Sequence, residues 1–287
     1  MEVAPDFIVA GHITLDLVNG EYLPGGAAYS ALTAARLGRR VGLITSFGPD
    51  MHSSIELEGV QIFTIPSPQS TVFVNVYRED RREQQSTSVA GRLRAEVVPP
   101  TWRAASAVHL APMLDEVGPD FLDAFPKARM LASPQGWLRC LGPAGRVLPA
   151  SWNWADQAFS RLDGLVVSSE DLAGDEETIA RWVAKIPCLV LTEGERGSRV
   201  YFDSKQRHLP AYFTEKVVDP TGAGDAFAAA FLVKWSEGAS PYQAARFANI
   251  VASFVVEGKG LAGVPTLAQV EERLARSRLE EIGDGGS

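Results

Sequence analysis

The stretch Val217-Val218-Asp219-Pro220-Thr221-Gly222-Ala223-Gly224-Asp225-Ala226-Phe227 gathers residue types that can manage a moving negative charge. A short β-rich run enters a turn built from one proline and two glycines. A helix follows, with Phe227, Phe231 and Trp235 on one face. Gly222 and Gly224 let the backbone approach a ligand and turn its N–H groups toward it. Those groups also sit at a helix start, where orphan amides and the helix dipole favour an anion. Such a place suits a phosphoryl group in transfer. Asp225 stands beside it, positioned to take a proton from an attacking hydroxyl. Taken alone, a bare Gly-x-Gly-Asp reads rather as an N-cap carboxylate after a glycine turn.

The complete string, Asp-Pro-Thr-Gly-Ala-Gly-Asp-x-Phe over Asp219 to Phe227, decides between these readings because it resembles the C-terminal signature of PfkB (ribokinase-family) sugar and nucleoside kinases. The resemblance extends over nearly the whole chain, most like the short myo-inositol kinase-type members. It implies an α/β fold: a ribokinase-like three-layer αβα sandwich with a mainly parallel central sheet and a small β-hairpin lid. It also implies ATP and Mg²⁺, with Asp225 as catalytic base and the backbone amides of Gly222, Ala223 and Gly224 as anion hole.

Other segments fit the same family. Gly11-His12-Ile13-Thr14-Leu15-Asp16 looks like its first-strand Gly-x4-Asp, whose carboxylate binds substrate hydroxyls. Gly25-Gly26-Ala27-Ala28-Tyr29-Ser30 looks like its Gly-Gly-x3-Asn, with Ser30 in place of the usual, longer Asn. The resemblance assigns Asp16, Gly25, Gly26 and Ser30 to the substrate. Ser168-Ser169-Glu170-Asp171 falls where the family carries Asn-x-x-Glu, so Ser168 is expected near the donor and Glu170 and Asp171 near Mg²⁺ through water. Read as residues alone, this is a Ser N-cap followed by first-turn acids. Thr192, Gly194 and Gly197 match the Thr-x-Gly-x-x-Gly that lines the donor phosphates, and Asn249 matches a position near adenine. Asp219 and Thr221 match positions whose main-chain carbonyls bind a monovalent cation in many relatives, which makes K⁺ a candidate ligand. Gln135 and Arg139 lie just past a strand end, where parallel sheets bind ligands. Gln135 can bond a polyol hydroxyl. Arg139 can neutralise phosphate, although an ordinary surface ion pair is the plainer reading.

The elements that must position these residues follow from apolar patterning. Near-continuous apolar runs at 7–10, 41–47, 107–110, 130–132, 165–168 and 189–192 fit strands covered on both faces. Gly25-Gly26 opens an alanine-rich helix, Ala27 to Leu37, which Gly38 stops, and Glu176 to Val183 reads as another helix. Thr71 to Ala90 alternates and turns on charged residues, as an antiparallel hairpin with one solvated face does. Gly238 ends one helix, Ser240-Pro241 begins the next, and the tail from Gly283 is expected to fray. No repeat or linker marks a boundary. Residues 1–287 are therefore expected to form one domain, which the resemblance makes a kinase domain with lid segments near 12–24 and 70–91.

The remaining signals mainly exclude. A net charge of −8 over 287 residues argues against a nucleic-acid or anionic-membrane binder. No run approaches the roughly 18 apolar residues that span a bilayer, and no secretory signal is present, so the cytoplasm is the expected location. Cys140 and Cys188 sit in apolar surroundings and read as reduced structural thiols. His12, His52, His109 and His208 lack metal-ligand spacing. Gly258-Lys259-Gly260-Leu261-Ala262-Gly263 spells Gly-x-Gly-x-x-Gly, but no βαβ unit follows it. A small polyol or sugar, myo-inositol-like, is the favoured substrate. A nucleoside stacked on Tyr29, Phe73 or Trp137 is the nearest alternative, and a non-catalytic sensor of the same fold is a third. An exposed hairpin edge invites pairing, so a lid-mediated homodimer is a candidate assembly.

Overall fold

The computed structural model describes residues 3–18, 20–51, 55–78, 81–214 and 216–284. The first strand shows why the apolar runs lack polar alternation. In β1 (Phe7–Ala10), Phe7 and Val9 enter one apolar cluster while Ile8 and Ala10 enter a second one on the opposite face. A strand covered on both faces has no solvated side to reserve for polar residues.

From β1 the chain makes β2 (Ile13–Val18) and β3 (Glu21–Gly26), then α1 (Ala27–Arg36). It continues through β4 (Val41–Phe47), β5 (Val60–Pro66), β6 (Thr71–Arg78) and β7 (Arg81–Ser88). Next come β8 (Ala107–Leu110), β9 (Arg129–Ala132), β10 (Arg139–Leu141) and β11 (Val147–Pro149). Then α2 (Ala155–Phe159), β12 (Gly164–Ser168), α3 (Glu176–Val183), β13 (Cys188–Thr192), β14 (Ser198–Phe202) and β15 (Lys205–Leu209) alternate. Three helices finish the chain: α4 (Ala223–Ser236), α5 (Pro241–Glu257) and α6 (Leu267–Asp284).

Nine strands form the central sheet in the order β15-β14-β13-β12-β9-β8-β1-β4-β5. Neighbours from β5 to β13 pair parallel; β14 and β15 add an antiparallel edge. Helices α1, α4 and α5 contribute to one apolar cluster, and α2 and α3 to the other. The result is the three-layer sandwich with its mainly parallel sheet. The strand order turns at β1, which lies between β4 and β8 although β4 follows it and β8 comes much later. Such a switch leaves a crevice beyond the carboxyl ends of the strands. Phe227, Phe231 and Trp235 do share one face of α4, in ring contact at 6.5 and 5.4 Å. Ser240 caps α5 with Gln243 in a reciprocal box, and Gly38 and Gly238 follow their helices at positive φ.

Several expectations need correction. The lid is a four-stranded sheet, β3-β2-β6-β7, rather than one hairpin. Its outer strand β7 also meets the small β10–β11 hairpin, through a bridge between Gln85 and Arg146. Gly145 packs so closely on the Ser86 carbonyl that a side chain there has no room. Cys188 is buried, but Cys140 is exposed on that hairpin. Helix α6 extends to Asp284, so the frayed tail expected from Gly283 otherwise lies outside the described residues, as does His52. Among the described residues, no helix is long and apolar enough to cross a membrane.

Candidate active site

The glycine turn folds as its residue types dictate. The Asp219 carboxylate accepts from the Thr221 N–H (2.9 Å), closing a turn on its own backbone. Gly222 follows at φ +77°, and a Cβ there would overlap the ring of Tyr29. Only glycine satisfies both demands. The Ala223 N–H donates to the Pro220 carbonyl (3.2 Å), so this amide is engaged within the turn rather than pointing at a ligand. The N–H groups of Gly222 and Gly224 have no acceptor among the described residues. Gly224 is exposed, and nothing lies close to where its Cβ would be. The anion hole expected from three consecutive amides thus reduces to two free ones at the start of α4.

Asp225 lies in the first turn of α4 and is partly exposed. Burial pushes its carboxyl up to about 7; the nearby Asp16 and Asp171 carboxylates push the same way, and Arg139 pulls it down. A base poised near neutrality suits proton abstraction from an alcohol. Asp16 comes from the lid strand β2, where Thr14 donates to its Oδ1 (3.0 Å). On the paired strand β3, a Cβ at Gly25 would overlap Asp16 Oδ2, so glycine there leaves the carboxylate its room. Gly26, at φ +58°, turns the chain into α1. Ser30 is fully enclosed on α1, and its hydroxyl donates to the Asp225 carbonyl (3.1 Å). It therefore braces the helix that carries Asp225 and does not face the cleft, contrary to its expected contact with substrate.

Opposite the glycine turn, Arg139 opens β10 and pairs with Asp171 (2.9 Å). Gln135 donates to the same carboxylate at 3.3 Å, and Arg139 also donates to Gln84 of the lid strand β7 at 3.3 Å. Arg139 thus makes an ion pair, as the plainer reading had it, but in the site rather than on the open surface. Gln84 gave no signal in the sequence. Asp171, expected near Mg²⁺, is engaged by Arg139 and Gln135. Glu170 is exposed and has no side-chain partner among the described residues, and Ser168 Oγ accepts the Glu170 N–H (3.2 Å) in a local turn. No group of three or more potential metal-ligating side chains occurs among the described residues.

On the donor side, Gly194 (φ +60°) and Gly197 (φ +94°) shape the turn from β13 into β14. Gly197 lies against the Leu209 carbonyl, where a side chain has no space, whereas Gly194 is open. Thr192, at the end of β13, keeps its hydroxyl 3.5 Å from the Val167 carbonyl. Asn249 is buried on α5 and donates to Ser198 and to the carbonyls of Leu209 and Pro210, which ties α5 to the β14–β15 edge. Asp219 Oδ2 is buried with no hydrogen-bond partner among the described residues.

The fold and the glycine-turn aspartate define a phosphoryl-transferring class of protein. Residues 10–267 match the pfkB family carbohydrate kinase description, and the chain belongs to that family as one of its kinases. It is 29% identical over 255 residues to the cytidine kinase of Thermococcus kodakarensis, covering 81% of this chain and 89% of that one. It superposes on a pyrophosphate-dependent kinase in the ribokinase family, complexed with a pyrophosphate analog and myo-inositol (TM-score 0.75, 22% identity, 93% of this chain and 99% of the other). It also superposes on Arabidopsis thaliana ribokinase complexed with ribose and ATP (TM-score 0.69, 22% identity, 94% and 98%). At these identities the two structures bear on the fold.

Proposed function

We propose that the protein transfers the γ-phosphoryl group of ATP to a hydroxyl of a small cyclic polyol or sugar, myo-inositol-like, in the cytoplasm. The observation that carries this reading is the Asp225 carboxyl, raised to about 7, beside two free amides and across from the lid carboxylate Asp16. Asp16 accepts hydrogen bonds from substrate hydroxyls and holds one of them near Asp225. Asp225 takes the proton of that hydroxyl as its oxygen bonds to the γ-phosphorus. The bond from the γ-phosphorus to the β–γ bridging oxygen breaks, and ADP leaves. The amides of Gly222 and Gly224 meet the negative charge on the transferring group, an effect worth several kcal/mol per donor at about 3–4. The turn at Thr192, Gly194 and Gly197 flanks the phosphates, and Asn249 supports the base side of the donor.

Glu170 is the carboxylate free to hold Mg²⁺ through water, and the ion would supply charge neutralisation on the donor phosphates. The orphaned Asp219 Oδ2 fits a monovalent cation such as K⁺, which the main-chain carbonyls of Asp219 and Thr221 would help to hold.

The polyol reading is favoured by the aromatic residues. Tyr29, Phe73 and Trp137, the rings expected from the sequence to stack a base, are 1%, 2% and 3% exposed, and Tyr29 lies against Gly222. A nucleoside acceptor is the second reading, because the cytidine kinase likeness runs through 81% of the chain. The test is a phosphorylation screen over inositols, hexoses, pentoses and nucleosides, with Mg²⁺·ATP and pyrophosphate as donors. Turnover of an inositol with ATP supports the proposal. Turnover of nucleosides alone sinks the polyol, and turnover with pyrophosphate alone sinks ATP as donor. Binding without any turnover leaves a ligand sensor of this fold.

A further inference from the structure

Four strands carry the lid, and the chain passes between core and lid at four points. It leaves β1 for β2 at His12, returns from β3 into α1 at Gly26-Ala27, enters β6 at Thr71 and leaves β7 toward Ala90-Gly91. All four meet at His12, a fully buried residue. Its carbonyl accepts from the Ala27 N–H (3.0 Å). Its Nδ1 lies 2.8 Å from Thr71 Oγ1 and its Nε2 lies 2.8 Å from the Gly91 carbonyl. A carbonyl only accepts, so Nε2 carries the hydrogen. Thr71 Oγ1 in turn accepts from the Ala90 N–H (3.0 Å).

His12 itself is held by a second buried residue. Glu116, in the loop after β8, is 1% exposed and pairs with no Lys or Arg among the described residues. Its carboxylate accepts from the backbone N–H groups of His12 (2.9 Å), Met113 (2.9 Å) and Leu114 (2.8 Å). Met113 packs at Gly26, the lid's return point. A buried carboxylate is retained only where donors surround it, and these donors belong to two segments flanking the hinge.

We propose that His12 and Glu116 are positioning residues that fix the angle of the lid, and so the place of Asp16 relative to Asp225. Neither touches the reacting atoms. They act through β2, on which Asp16 lies four residues beyond His12. The effect on turnover rests on the kinase reading above; the effect on the lid does not.

The test uses full-length Thr71→Val, Thr71→Ser and Glu116→Gln proteins. Thr71→Val removes the hydroxyl that joins His12 to Ala90 while keeping the shape, and Thr71→Ser restores it. Amide hydrogen exchange is measured for peptides covering β2 and the start of β6, against β1 and β8 as core controls. Steady-state ADP and free phosphate release are measured with Mg²⁺·ATP and whichever of myo-inositol or cytidine the wild-type protein phosphorylates. The expected result for Thr71→Val and Glu116→Gln is faster exchange in the lid peptides alone. Phosphoryl transfer is expected to fall about tenfold to a hundredfold. A larger share of ATP is lost to water, and KM for ATP stays within about twofold. Thr71→Ser is expected to recover most of this. If Glu116→Gln does not fold, Thr71→Val decides alone. A folded Thr71→Val protein with unchanged lid exchange and unchanged leakage overturns the proposal. If the wild-type protein phosphorylates nothing, the kinase reading fails and the exchange comparison still decides the hinge.

Discussion

The Tyr29 ring occupies the space that a side chain at Gly222 would need, so helix α1 dictates the residue type in the turn that starts α4. The Tyr29 hydroxyl is itself held protonated by burial and by the Asp219, Asp16 and Asp225 carboxylates around it. Gly222→Ala therefore meets both a ring and an unfavourable φ. Turnover is expected to fall on the order of 10²–10³-fold, because one anion-binding amide moves. Steady-state kinetics on a folded variant is the check, and wild-type turnover would mean that this amide does not serve the reaction.

Asp225→Asn keeps size and removes the base. Turnover is expected to drop by about 10²–10⁴-fold, with ATP affinity measured by calorimetry nearly kept. Loss of both together would place the residue in donor binding instead.

The same substitution carries a stability signature. The Asp225 carboxyl moves from about 4 in the unfolded chain to about 7 in the fold, so between those values the folded state holds the extra proton. Stability contributed by this group is present below pH 4, declines as pH rises toward 7, and is flat above. Asp225→Asn is therefore expected to be more stable than wild type at pH 8, on the order of 2 kcal/mol after allowing for the carboxyl's solvent-facing edge. At pH 4 the difference should vanish. Thermal melts at the two pH values decide it.

The pH profile of kcat/KM should rise with one ionisation near pH 7, since Asp225 acts deprotonated. Its neighbours should move that limb in opposite directions. Arg139→Met removes the cation that pulls the carboxyl down, and the limb should shift to higher pH by up to about one unit. Asp171→Asn should shift it lower. A common shift in both variants would show that disruption of their ion pair, not charge, governs the response.

Asp16→Asn should raise KM for the acceptor by about 10–100-fold, the loss of a hydrogen bond to a charged group. It should also lower the acid limb, because Asp16 helps to raise the Asp225 carboxyl. Acceptor titrations at fixed Mg²⁺·ATP, repeated over pH, separate the two effects.

Much of this arrangement is legible in one dimension because it depends on short-range rules. The string from Asp219 to Phe227 states its own turn, helix start and base, and each strand beneath the site announces itself as an unbroken apolar run. The lid was only half readable. Asn19-Gly20 between two strand-like segments is a strong hairpin signal, yet Asp16, the residue that matters there, falls on the polar beat of Ile13 to Leu17 and reads as an ordinary solvent-facing strand position. What stayed hidden depends on distant approach. Nothing near Ser30 indicates that its hydroxyl would brace a carbonyl 195 residues away. Nothing near Glu116 shows that an acid in Pro-Met-Leu-Asp-Glu-Val would be buried without a cation. Arg139 and Asp171 were each visible, but their pairing is a property of the sheet that sets β9, from which the chain runs on to β10, beside β12.

The small β10–β11 hairpin changes what a neighbouring molecule can find. Strand β7 would otherwise leave its backbone groups bare along the rim of the lid, the kind of seam along which proteins zip together. Gln85 already has Arg146 beside it, and Gly145 is pressed against the next residue, so the seam is stitched within one molecule. A second copy adding a strand would meet β3 on the far rim, where Glu21 is tethered to Lys259. A crowded solution thus encounters a cover hemmed on one side and pinned on the other.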